Sequence, residues 1–146
     1  MDTTLPADFL LNVHREIQID APIAIVFDAL IEQSGTGLTG PDGKSMQLKL
    51  EAWPGGRWFR DLGNNTGHLW GHVQVIKPPT LLEICGPMFM SYPVAAHIQY
   101  RLTEKAGVTT LALTHRAIGE IAAEHRAGVG MGWEKILGQI KDRARR

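Results

Sequence analysis

With 146 residues, 44% of them hydrophobic, and a formal net charge of zero from 15 basic and 15 acidic side chains, the chain can bury one core and offers no positive field for nucleic acid or an anionic membrane. A single cysteine, Cys85, excludes an internal disulfide framework, and no apolar run approaches the ~18 residues of a membrane span. The expectation is one cytoplasmic domain over 1–146, whose start, Met1-Asp2-Thr3-Thr4-Leu5-Pro6, lacks the basic region of a leader.

Phe9, Leu10 and Leu11 lead into 13–19, where apolar Val13, Ile17 and Ile19 alternate with polar His14, Glu16 and Gln18 and predict a strand that Arg15 alone interrupts. Asp20-Ala21-Pro22 then offers a cap and a helix-starting proline, and Ile23, Val26, Phe27, Leu30 and Ile31 follow at helical spacing. Glycines and prolines between Ser34 and Ser45 predict a loop. Its Gly43-Lys44-Ser45 lacks the earlier glycine of a phosphate-binding loop, since Leu38 stands there, and it follows a helix rather than a strand; nucleotide binding is not expected. Strand patterns then run without pause through 46–53, 57–62, 68–76, 80–86, 93–104 and 108–118. Pro54-Gly55-Gly56, Lys77-Pro78-Pro79 and Lys105-Ala106-Gly107 are the turns between them.

Register follows from keeping apolar residues on one face. Val73 and Val75 are set opposite Ile84 and Leu82, and Ile98 and Tyr100 opposite Leu113 and Leu111, which brings His115 onto the apolar face near Ala96. For Leu48 and Leu50 against Trp58 and Arg60 two registers fit equally. His68 and His72 share a face of one strand at roughly 13 Å, too far apart for one ion, and no other set has ligand spacing, so no metal is expected.

The final stretch, 121–141, is a long amphipathic helix with Ile118, Ala122, His125, Val129, Trp133, Ile136 and Ile140 along one stripe, acids at its start and bases at its end. Gly128, Gly130 and Gly132 interrupt it at a cost of about 1 kcal/mol each. Either close packing against the sheet or room for a ligand would offset that cost. An antiparallel sheet apolar on one face needs a cover, and this helix is the element available.

Pro22, Pro54-Gly55-Gly56-Arg57-Trp58, Gly71-His72-Val73, Pro78-Pro79, Leu111-Ala112-Leu113-Thr114-His115, and Gly132-Trp133 followed by Leu137 occur in this order. In their order and spacing they resemble the family related to the C-terminal domain of the activator of Hsp90 ATPase, within the START and Bet v 1-like (SRPBCC) helix-grip group. The resemblance covers about 13–140. It implies an α+β helix-grip fold, a curved antiparallel sheet of about seven strands wrapped on the long C-terminal helix, with a short helix after the first strand. It also implies a cavity between sheet and helix and ligand binding as the broad class, with neither a cofactor nor a shared catalytic set. Where relatives carry a tryptophan-containing stretch, this chain has Gly35-Thr36-Gly37-Leu38-Thr39-Gly40, so the cavity mouth is expected to differ.

The leading expectation is therefore a protein that holds an apolar or aromatic small molecule between sheet and last helix. Trp58, Val73, Val75, Leu82, Ile84, Ile98, Leu111, Leu113, Met131 and Trp133 are its expected walls, and Tyr100 and His115 its orienting polar contacts. The plainer role for His115 is a neutral core histidine satisfied by hydrogen bonds; for Arg57, a solvated charge rather than a carboxylate clamp. A cyclase- or hydrolase-like enzyme with His115 as general acid or base is one alternative. A chaperone partner is another, in a chain with no room for the further N-terminal domain of the full eukaryotic activator. The apolar loop 86–93 is expected either to lid the cavity or to bury against a second subunit in a homodimer.

Overall fold

The computed structural model describes residues 7–146, which build one antiparallel sheet and two α-helices. After a 3-10 turn at Ala7–Phe9 come β1 (Leu10–Ile19), α1 (Ile23–Ser34), β2 (Leu48–Leu50), β3 (Arg57–Gly63), β4 (Thr66–Lys77), β5 (Leu81–Gly86), β6 (Val94–Lys105), β7 (Val108–Gly119) and α2 (Ala123–Ala144). The 7-stranded order is β1-β7-β6-β5-β4-β3-β2. From β2 onward each strand pairs with the one before it through a hairpin, while α1 carries the chain from one edge of the sheet to the other. This is the expected helix-grip architecture: α2 lies along the concave face, with Val129, Trp133, Leu137, Ile140 and Ala144 buried at intervals of three and four.

The hairpin turns fix the register, and one differs from expectation. Ala106 and Gly107 both have positive φ, 54° and 80°, and Lys105 pairs with Val108, so the β6–β7 turn has two residues and is of the primed kind. Ile98 consequently pairs with His115 and Tyr100 with Leu113, two residues along from the expected partners and still on the same face. Asn64 and Asn65, at 54° and 58°, make the equivalent turn between β3 and β4. In β2 the predicted strand shrinks to Leu48–Leu50 because Gln47 is left-handed (φ 56°), and Leu48 meets Arg60 while Leu50 meets Trp58.

Irregularities in β4 overturn two readings of that strand. Between Trp58 and Phe59 the partner jumps from Gly71 to Leu69, so Trp70 and Gly71 are both buried; His68 then shares the inner side with Trp70, whose Nε1 donates to its Nδ1, and His72 lies exposed beyond the bulge. A second shift pairs Val75 with Glu83 and Ile76 with Leu82, which turns Val75 away from the core and gives its place to Ile76. Arg15, the break in the β1 pattern, follows the inward alternation of Leu11 and Val13 and reaches α2, where its Nε donates to Glu134 at 3.1 Å.

Candidate functional site

The concave face gathers its aromatic side chains beneath the first half of α2. Trp58 on β3 and Trp70 on β4 meet edge to face at 5.0 Å, and Trp58 Nε1 donates to the Ser34 carbonyl at 2.6 Å, which ties β3 to the end of α1. Gly71 and Gly86 let β4 and β5 close on each other here: a Cβ on Gly86 would stand 2.4 Å from the Gly71 Cα. The chain leaving Gly86 can therefore turn inward. Met88 adopts a left-handed conformation (φ 62°), donates its N–H to the Trp70 carbonyl at 2.7 Å and is wholly buried, as is Met90 at 2% exposure. Of the two roles expected for this loop, its fold is that of a lid, because its methionines are covered by their own chain.

Phe89, between those methionines, is the hub. Its ring lies 5.8 Å from Trp70, 6.1 Å from His115, 6.4 Å from Trp133 and 6.5 Å from His125. Two residues on, Tyr92 stacks on His125 and shares a 2.6 Å hydrogen bond between its hydroxyl and Nδ1, which pins the loop to α2.

Beside this cluster a slot of about 320 Å³ runs between α2 and the loop that follows α1. Leu38, Met46, Trp58, Trp70, Phe89, Val129, Trp133 and Ile136 give it an almost wholly apolar wall. Glu124, His125, Lys135 and Gln139 line it as well and supply its polar fringe. One lip is the glycine-rich segment after α1, held by the Thr39–Ser45 bridge and by the Met46 N–H donating to the Leu38 carbonyl at 3.0 Å. Gly128 and Gly132 face the slot, and a Cβ at either would meet nothing within 4 Å. Gly130 has another task, because a Cβ there would stand 2.4 Å from the Arg15 guanidinium. Room for a ligand and close packing, posed by the sequence as alternatives for these glycines, are divided between them.

His115 lies behind Phe89 and Trp133, fully buried. Trp133 Nε1 donates to its Nδ1 at 2.9 Å, so the neutral ring carries its proton on Nε2, and that buried Nε2 has no partner. Burial lowers its pKa from 6.5 to about 4, since nothing nearby compensates a charged imidazolium for lost water. An unsatisfied buried donor of this kind costs about 1–3 kcal/mol. The Tyr100 hydroxyl is likewise pushed up by burial, and its ring packs edge to face on Trp133 at 6.3 Å.

Of the residues expected from sequence, Trp58 and Trp133 border the slot. His115 and Tyr100 stand one layer behind it, each against Trp133. Val73, Leu82, Ile84, Ile98, Leu111 and Leu113 are buried core residues outside its lining. Met131 is no wall at all: it is 74% exposed, because it falls between the buried positions Val129 and Trp133 and points off the helix face. Val75 is lost to the β4 bulge. Arg57 lies outside the slot, its guanidinium bound at both Nε and Nη2 by the Glu51 carboxylate at 2.8 Å, a pairing that holds the Glu51 pKa down to about 2. Sequence reasoning missed Leu38, Met46, Trp70, Phe89, His125 and Ile136 as wall residues. Apolar side chains stranded in turn-rich segments, Leu38 and Phe89 above all, were the signal available. Among the described residues no group of three or more histidines, cysteines and acids is arranged to hold a metal, and no helix is long and apolar enough to cross a membrane.

Comparison with known proteins agrees with this layout. The family model for activator of Hsp90 ATPase homolog 1-like protein matches residues 20–145. The crystal structure of protein MLL2253 from Mesorhizobium loti superposes with a TM-score of 0.71 at 17% identity, covering 90% of this chain and 95% of that one. CalU16 from Micromonospora echinospora gives 0.64 at 22% identity, with 91% and 75% covered. The Aha1 dimer from Colwellia psychrerythraea, solved in solution, gives 0.65 at 17% identity, with 90% and 94% covered. At such identities the likeness is one of fold. No curated protein matches the chain.

Proposed function

The chain belongs to the activator of Hsp90 ATPase homolog 1-like family, and from that premise we propose that it binds an apolar or aromatic small molecule in the slot between α2 and the aromatic cluster. The observation that carries this reading is the pair Gly128 and Gly132. Each weakens the helix by about 1 kcal/mol relative to alanine, and neither is needed for packing, since a Cβ at either position meets nothing; what they leave open is an apolar slot. Binding is preferred over catalysis because His115, neutral and with Nδ1 already accepting from Trp133, has no free lone pair with which to act as a base. A cytoplasmic setting fits the free Cys85.

The test is titration with N-phenylnaphthylamine, a neutral probe that fluoresces in apolar sites. The wild type should bind it saturably, Gly132→Leu should abolish binding by placing four carbons at the slot, and Gly138→Leu, on the same helix but away from the slot, should leave it unchanged. Equal binding by all three proteins would refute the assignment.

A further inference from the structure

The slot ends on Phe89, and behind Phe89 is a hydrogen-bond donor that the protein itself does not use. His115 is fully buried, its Nδ1 is taken by Trp133, and its Nε2–H is the one buried side-chain polar atom without a partner among the described residues. Phe89 touches both places: it borders the slot, and its ring stands edge to face on His115 at 6.1 Å. It is also carried by a backbone that is not at rest. Met88, the residue before it, is left-handed without being glycine, a conformation that persists only where its surroundings enforce it and that clusters at clamps and switches. The segment is adaptable in side chain as well, Met88 and Met90 being unbranched on either side of the ring.

Resting on the reading of the slot as a ligand site, we infer that Phe89 is a gate and that the ligand is an aromatic molecule bearing a neutral acceptor, a carbonyl in the simplest case, which displaces the ring and accepts the His115 Nε2–H. Three features favour this chemistry over a plain hydrocarbon or an anion. A hydrocarbon would leave the Nε2–H as it is, whereas a carbonyl oxygen removes a buried unsatisfied donor without stripping water from a second charge. A carboxylate brought to the same depth would arrive in an apolar enclosure with only a neutral imidazole to meet it. The surrounding rings of Trp70, Trp133 and Phe89 offer edges and faces to a flat ligand body.

The deciding experiment compares acetylnaphthalene with isopropenylnaphthalene, which has the same shape with a methylene in place of the oxygen. Wild type should bind the ketone on the order of tenfold more tightly, the scale of satisfying a buried donor. In nitrogen-detected NMR of the wild type, the His115 Nε2–H resonance should move downfield with the ketone and stay put with the alkene. In His115→Phe the preference should vanish, and in Phe89→Ala both probes should bind more tightly because the gate is gone. Should His115→Phe fail to fold, the wild-type NMR titration still decides. Equal affinities for the two probes, or an Nε2–H signal unmoved by saturating ketone, would overturn the gate and donor while the slot stood. If neither probe binds, the slot reading falls and this inference with it.

Discussion

Replacing the α2 glycines one at a time by alanine separates what the helix needs from what the slot needs. Alanine is favoured over glycine inside a helix by about 1 kcal/mol, and at Gly128, Gly132 and Gly138 the new methyl would meet nothing within 4 Å, so no clash subtracts from the gain. Each of the three variants should therefore unfold about 1 kcal/mol less readily, an increase of about 3 °C in Tm for a chain of this length. Gly130→Ala should behave differently. Its methyl would fall 2.4 Å from Arg15 Nη2 and must push aside a guanidinium that donates to Glu134 at 3.1 Å and to the His14 carbonyl at 2.9 Å. The propensity gain is then offset by lost contacts, and Gly130→Ala should be no more stable than wild type. Urea unfolding followed by tryptophan fluorescence is a suitable assay, because Trp133 is in the helix and Trp58 and Trp70 lie against the sheet. If Gly128→Ala and Gly132→Ala proved destabilising, those glycines would be serving the helix's own geometry, and the argument that they are kept for a ligand would fail.

The buried His115 makes stability depend on pH. Its folded pKa of about 4 lies below the 6.5 of the unfolded chain, so the unfolded state binds the extra proton first and stability is lost as pH falls from about 6.5 toward 4. The loss should reach about 3 kcal/mol at pH 4 and be absent from a His115→Gln variant; parallel curves for the two proteins in urea melts from pH 7 to 4 would refute it. In the β6–β7 turn, Ala106→Asn converts a left-handed alanine into the Asn-Gly pair that primed turns prefer. It should stabilise the protein by about 1 kcal/mol in thermal melts, and a lower Tm would mean that the turn is of another type.

Much of the fold could be read from alternation alone. Every strand except the truncated β2 lies close to its expected place, because a half-buried strand must alternate and a glycine or proline must end it. What resisted were single-residue irregularities. The extra residues near Gly71 and Gln74 leave no mark in composition, yet each swaps the faces of everything beyond it, which is why His72 and Val75 were misplaced. Ala106 hid a two-residue turn that asparagine would have announced. On α2 the helical period identified Val129, Trp133 and Ile140, while Met131 was admitted on hydrophobicity against its phase. The slot was harder still. Its walls come from α2, the 38–46 loop, β3, β4 and Phe89, segments brought together only by the sheet's curvature, and no local pattern records that meeting.

The β1 strand stands at one end of the sheet, joined to β7 on one side only, and is ten residues long, a length that invites another chain to add itself as a further strand. Two arginines discourage that. Arg126 from α2 donates to the carbonyls of Asp8 and Leu10, occupying part of the open edge, and Arg15 places an inward charge midway along a row that would otherwise be apolar from Leu11 to Ile19. Gly130, by clearing space for that guanidinium, thus helps keep neighbouring molecules in a crowded solution from zipping together along their first strands.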